Sequence, residues 1–200
     1  AAGDSCDNER GLAVQILDYV LFTMPGEPVR KKLIDAGLRK DVDSYYDGGI
    51  QQPLFSIIVK NAGKGKEDLF IQTVEEALKE QVEKGLNKKA IYSAINNYEF
   101  KYREADFGRF PKWLIYGLNF LNSWLYDDAK ALELADSLTP LATLKEKVDT
   151  GYFEQLIKES FLDNTHKAYV YLYPEEGKNE RLEEELKAQP VVFVYVANET

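Results

Sequence analysis

Hydrophobic positions along the chain fall into two periods. Leu12, Ile16 and Val20 recur four apart, with Ala13, Leu17 and Leu21 beside them. That spacing predicts an amphipathic helix, and Pro25-Gly26 stops it. Pro28 suits a first helical turn and predicts a second helix through Leu38, with Leu33 and Ile34 inward. Asp47-Gly48-Gly49 signals a turn in which glycine permits positive φ. Leu54-Phe-Ser-Ile-Ile-Val59 reads as a mostly buried strand.

Phe70, Val74, Leu78 and Val82 set the next helical period, with Glu75 and Lys79 as an i, i+4 pair on its wet side. Gly85 closes that helix. Asn87 is placed to cap another, which carries Ile91, Ile95, Tyr98 and Tyr102 on one face and breaks at Asp106-Phe-Gly108. After Pro111, the stretch from Trp113 to Leu125 is apolar on more than one side. One stripe is Leu114, Leu118, Leu121 and Leu125; another is Trp113, Gly117, Phe120 and Trp124. Such a helix is buried in its own fold or covered by a partner.

Thr139-Pro140 resembles an N-cap with a first-turn proline. A helix is predicted from Tyr152 to Leu162, with Phe153, Leu156, Ile157 and Phe161 inward. Lys167-Ala-Tyr-Val-Tyr-Leu-Tyr173 alternates as a strand should. A charged helix runs through Glu183-Glu-Glu-Leu-Lys187, and Val191-Val-Phe-Val-Tyr-Val196 reads as a central strand. Three or more strands scattered among about six helices argue for an α+β fold rather than a doubly wound sheet.

Composition narrows the function classes. Lys plus Arg is 25 against 34 Asp plus Glu, a net charge of −9, which disfavours a nucleic-acid partner. The single cysteine, Cys6, allows no intramolecular disulfide and no multi-cysteine metal site. No apolar run approaches the roughly 20 residues that cross a bilayer, so no membrane partner is expected. The polar, acidic start, Ala1-Ala-Gly-Asp-Ser-Cys-Asp, reads as neither a signal nor a transit peptide. A soluble protein of a bacterial cytoplasm or an organelle matrix is expected.

Long ordered motifs carry a resemblance. They are Leu17-Asp-Tyr-Val-Leu-Phe-Thr-Met-Pro-Gly-Glu-Pro-Val-Arg-Lys-Lys-Leu-Ile-Asp-Ala-Gly-Leu38, then Ser44 to Asn61, then Ala94-Ile-Asn-Asn-Tyr-Glu-Phe-Lys-Tyr-Arg-Glu-Ala-Asp-Phe-Gly-Arg-Phe-Pro-Lys-Trp-Leu114 followed by Trp124-Leu-Tyr-Asp127, and Gly151 to Lys167. From Asn8 to about Pro174 the chain resembles the second, metal-free domain of presequence-protease-like zinc peptidases in the pitrilysin/insulinase superfamily. Trp113, where glycine is commoner, and Thr165, where proline is commoner, depart from that pattern.

The resemblance implies a mixed or antiparallel sheet with packed helices, as in the pitrilysin/mitochondrial-processing-peptidase-like metallohydrolase fold. It implies one non-catalytic domain over 1–200, forming the wall of a chamber that degrades short unfolded peptides. The implied partners are the zinc-bearing domain of the same parent protein and the peptide substrate. Zinc is the cofactor of that other domain and not of this chain. The alternative is a non-catalytic core or processing-type subunit acting as an interaction scaffold.

The family's opening strand is absent before Leu12, while residues 189–200 resemble it. The expectation drawn from this is a fragment or a permuted chain.

The family's zinc motif, H-x-x-E-H, needs two imidazoles. This chain has one histidine, His166, so no catalytic or metal residues are assigned and the isolated chain is read as no enzyme. His166 reads as a structural residue rather than a ligand or base. Glu99 and Arg103 read as an i, i+4 ion pair. Arg103, Asp106, Arg109, Lys112 and Trp113 form the candidate contact set, for a peptide carboxylate or for a neighbouring domain. The tyrosines at 169, 171 and 173 suit peptide binding or packing.

Overall fold

The computed structural model describes residues 3–38, 41–105 and 108–188. The chain divides into two compact units, Ala1–Ala168 and Tyr169–Thr200.

The first unit is built around α1 (Asn8–Asp18). Asp7 caps it by accepting from the Arg10 backbone N–H at 2.9 Å. The helix then widens into one π-type turn, Tyr19–Thr23, closed by the Met24 N–H on the Tyr19 carbonyl at 2.9 Å. Leu12, Ala13, Val14, Ile16 and Leu17 are all buried, as are Val20, Leu21 and Phe22. Burial on more than one side places α1 inside a layer of other elements rather than on a surface. It packs on α4 (Lys88–Glu104), α6 (Leu138–Lys147), α7 (Tyr152–Ile157) and β1 (Val42–Asp47).

Several boundaries follow the local chemistry. Pro28 opens α2 (Pro28–Asp35), where Val29 and Leu33 are buried and Ile34 is only half-buried. Gly85, at φ 79°, ends α3 (Glu67–Lys84). The Asn87 side chain accepts from the Ala90 N–H at 3.3 Å to start α4. The cap of α6 is not Thr139 as expected. The Asp136 carboxylate takes the N–H groups of Leu138 and Thr139 at 2.9 and 3.1 Å, and Thr139 lies inside the helix. These bonds, the side-chain one from Thr139 first, hold the Asp136 carboxyl below its ordinary range. The predicted helix from Tyr152 is α7 followed by a π-type turn, Lys158–Leu162.

Two antiparallel strands, β1 and β2 (Leu54–Val59), form the sheet, so the architecture is α+β. In their register Val42 faces Val59, Ser44 faces Ile57 and Tyr46 faces Phe55. This side packs inward, with Phe55 at 5.9 Å from Phe22 and 4.8 Å from Phe161 between ring centroids. Leu54 and Ile58 lie on the other side and are exposed, so β2 is half-buried where the apolar run predicted a mostly buried strand. β1 escaped the sequence reading because Asp43, Ser44 and Asp47 interrupt its apolar character.

Gly48 and Gly49 do not adopt positive φ. Their smallness serves close approach instead. A Cβ on Gly48 would lie 3.0 Å from the Tyr46 ring, and one on Gly49 would lie 3.3 Å from Asn122 Oδ1.

Lys167–Tyr173 forms no strand, against expectation. Alternation supplies two side-chain faces, but a strand also needs a neighbouring backbone for its hydrogen bonds. In the second unit Val170 and Leu172 are exposed, and α8 (Lys178–Ala188) follows, with Arg181 paired to Glu175. The strand expected at Val191–Val196, and with it the 189–200 segment, lies outside the described residues.

Two tests follow from this packing. Phe153 is completely buried among the largest core side chains. Phe153→Ala is expected to cost about 3–5 kcal/mol in urea denaturation, while Phe100→Ala, at a position 66% exposed, changes stability by no more than about 0.5 kcal/mol.

Glu80 ties α3 to α2 by accepting from Lys32 at 2.5 Å, and it also pairs with Lys84. Those hydrogen bonds, Lys32 first, hold its carboxyl down at about 2 against an ordinary 4.5. A depressed carboxyl contributes stability above its unfolded pKa and loses it as pH falls through the folded value. Glu80→Gln should therefore lower the thermal midpoint at pH 7, and the difference from the parent chain should vanish as pH falls from about 4.5 toward 2.

Candidate functional site

α4 and α5 (Lys112–Trp124) present the sequence-predicted contact residues. The last turn of α4 ends on Ala105, which is in the left-handed region at φ 47°. Arg103 pairs with Glu99 one turn back, as the spacing predicted, and Glu99 also stands 3.8 Å from Lys145 of α6. Lys112 donates to the Glu104 carbonyl at 3.3 Å and so satisfies one of the open acceptors at the end of α4. Arg109 is exposed, Trp113 is 73% exposed, and Asp106 lies outside the described residues. Arg103 and Lys112 are thus engaged in fastening α4, while Trp113 projects outward; the described members do not converge on one enclosed pocket.

The orientation of α5 is the feature the apolar stripes did not settle. Within α5 only Ser123 is fully buried, and its carbonyl lies 3.9 Å from Cys6 Sγ. Asn119 and Asn122 are half-buried, and Asn122 lies against Gly49. Just beyond the helix, the Tyr126 hydroxyl donates to the Gly49 carbonyl at 3.4 Å. The side turned toward the protein carries these polar residues together with half-buried Ile115, Tyr116 and Phe120. Trp113, Leu118, Leu121 and Trp124, with Leu125 at the helix end, are exposed. Asn119, Asn122 and Ser123 were the signal in the sequence, since three polar residues share one side of an otherwise apolar helix.

Other groups were weighed for chemistry. The Asp18 carboxyl is pushed up by burial, offset in part by a hydrogen bond with Ser44, and its Oδ1 is buried without a hydrogen-bond partner. The nearby Tyr98 phenol is pushed up to about 12, chiefly by burial, and donates to the Gln15 carbonyl at 3.3 Å. This is a packed seam between α1, α4 and β1. A shallow, open depression of about 330 Å³ is lined by Glu75, Lys79, Glu83, Lys158 and Asp163 among others. Glu75 there pairs with both Lys79 and Lys167, at 3.7 and 3.9 Å.

His166 is exposed at the end of the first unit, and its backbone N–H donates to Asn164 Oδ1 at 2.8 Å. Among the described residues no three His, Cys, Asp or Glu side chains are grouped to hold a metal ion. A donor set with one imidazole does not fit a two-histidine zinc site. No helix among the described residues is long and apolar enough to cross a membrane.

No family model matches the chain. Individual relatives do. It is 41% identical over 185 residues to Protein HypA of Clostridium perfringens, covering 92% of this chain and 19% of that protein. It is 29% identical over 184 residues to Presequence protease 1, chloroplastic/mitochondrial, of Arabidopsis thaliana, covering 89% of this chain and 17% of that protein. The chain therefore spans about one fifth of the length of the curated relatives it matches. A solved structure of an M16-like peptidase from Alicyclobacillus acidocaldarius aligns with a TM-score of 0.49 at 19% identity, over 77% of this chain and 35% of that one. The presequence-protease match runs along 89% of the chain, so what the chain is similar to is one segment of a presequence protease.

Proposed function

We propose that this chain is a metal-free structural domain of a zinc peptidase that degrades short unfolded peptides, and that it packs on the zinc-bearing domain and walls the peptide chamber. The observation that carries the reading is a pair. The chain is similar to a presequence protease over 89% of its length, yet it holds one histidine. A catalytic zinc centre takes three protein ligands and an open position for water, and an H-x-x-E-H motif uses two imidazoles. The single imidazole of His166 cannot supply that set, so metal-activated water belongs to another part of the parent polypeptide.

What this chain contributes is rigid support. Its closed core around α1 holds α4 and α5, and the α5 face offers apolar area to a neighbour. Arg109 and Trp113, both exposed, are the members of the contact set available to a peptide or to the adjacent domain.

The test compares this chain with the full-length polypeptide encoded by its reading frame. The chain alone is expected to retain no stoichiometric zinc after gel filtration and to leave a quenched unfolded peptide uncut. The full polypeptide should carry an H-x-x-E-H motif, bind zinc and cut the same peptide. His166→Ala in the full polypeptide should change neither zinc content nor kcat/KM by more than about twofold. A reading frame without the motif would leave a scaffold subunit as the reading; loss of zinc in the His166 variant would reassign that residue.

A further inference from the structure

We propose that the outward face of α5 is the seat of an amphipathic helix from another domain of the same polypeptide, with an aliphatic side chain of that helix lodged over Gly117. The inference rests on the reading above, that this chain is one domain of a longer protein, and it names the place and chemistry of the contact.

A surface helix ordinarily turns its apolar stripe to the core and its polar residues to water. On α5 Ser123 is buried, Asn122 lies against Gly49, and Ile115, Tyr116 and Phe120 are half-buried, yet Trp113 is still 73%, Leu118 50%, Trp124 53% and Leu125 69% exposed. Together with Leu121, these side chains leave on the order of 600 Å² in water. That is at the upper end of the largest apolar patch a monomer usually exposes, about 300–600 Å², and at the lower end of the about 600–1,500 Å² of interfaces between domains of one chain.

Gly117 gives the face its shape. It lies near the middle of the helix, one turn after Trp113 and one turn before Leu121. Its φ is not positive, so the backbone does not require glycine. A Cβ there would meet no atom within 4 Å, so no neighbour among the described residues requires it either. Glycine inside a helix is destabilising relative to alanine, and here nothing in the described chain offsets that. The missing side chain leaves a gap between Trp113 and Leu121, one turn to either side on the same face, which is the kind of hole that a knob from a crossing helix fills. The walls carry no charge, so an aliphatic knob fits and a charged one does not.

The identity of the occupant is argued from length and charge. The segment matching this chain makes up 19% and 17% of its relatives, so in those proteins about four-fifths of the polypeptide is tethered beside it. A tethered domain is present at high effective concentration. A second copy of this chain would bring another net charge of −9 to the contact.

The experiment is peptide-resolved hydrogen–deuterium exchange over 112–125, in this chain alone and in the full-length polypeptide. Exchange is expected to be at least tenfold slower in the full polypeptide. There, Gly117→Leu should fill the notch and return exchange to the rate of the isolated chain. In the isolated chain both Gly117→Leu and Gly117→Ala should raise the thermal midpoint by about 2 °C, and neither should speed exchange. That pair of controls separates a lost contact from a lost fold.

Equal exchange in both contexts, or Gly117→Leu without effect in the full polypeptide, overturns the proposal. So does a reading frame that adds no further domain. Protection in the isolated chain that grows with protein concentration assigns the face to a second copy, and protection that appears only with phosphatidylcholine vesicles assigns it to a lipid surface. The absence of H-x-x-E-H from the full polypeptide would end the peptidase reading while leaving the exchange result to decide this contact.

Discussion

Everything in the first unit depends on the burial of α1. A helix exposed on one side needs packing on the other; α1 is packed along most of its length, from Leu12 to Phe22. It cannot hold its shape without α4, α6, α7 and β1, and each of those buries its own apolar side against it. The polar ties at its start are arranged around that constraint. Arg10 donates to Ser160 at 3.0 Å and stands 3.7 Å from Glu159, while Glu9 pairs with Lys147. These exposed or half-exposed pairs contribute little by themselves. They fix where the later helices end on a frame that hydrophobic burial already holds together.

The sheet contrasts with that frame. Two strands give one face to the core through Tyr46, Phe55, Ile57 and Val59 and leave Leu54, Tyr45 and Ile58 outside. An isolated two-stranded ribbon is marginal in water. Here it persists because Phe22 and Phe161 clamp Phe55, and because the loop after β1 is held at Gly49 by Asn122 and Tyr126. The same loop contact anchors α5, so sheet and helix position each other. This coupling connects the candidate surface to the core, since displacing the Gly48-Gly49 loop would also displace the exposed apolar face.

The electrostatics point to architecture rather than chemistry. The shifted carboxyls divide into those lowered by ion pairs or helix-start hydrogen bonds, such as Glu80 and Asp136, and Asp18, which is raised by burial. No pair of carboxyls with split pKa values flanks a cavity among the described residues, which is the arrangement an acid–base site would need.

The sequence by itself determined the helices with strong periods and the places where they stop. Pro28, Gly85 and Asn87 act through local backbone chemistry that tertiary context did not override. The i, i+4 pairs Glu99–Arg103 and Glu75–Lys79 are legible for the same reason. What tertiary structure alone decided is which side of each apolar element is covered. β2 and the stretch around Tyr171 are similarly apolar, yet β2 became a half-buried strand and Lys167–Tyr173 formed none, because a strand is completed by hydrogen bonds from another backbone. β1 went unread because a pairing partner can make a strand of a polar segment. On α5 each apolar stripe has exposed and half-buried members, and the orientation follows Ser123 and Asn122, whose contacts with Cys6 and the Gly49 loop exist only once distant segments have come together.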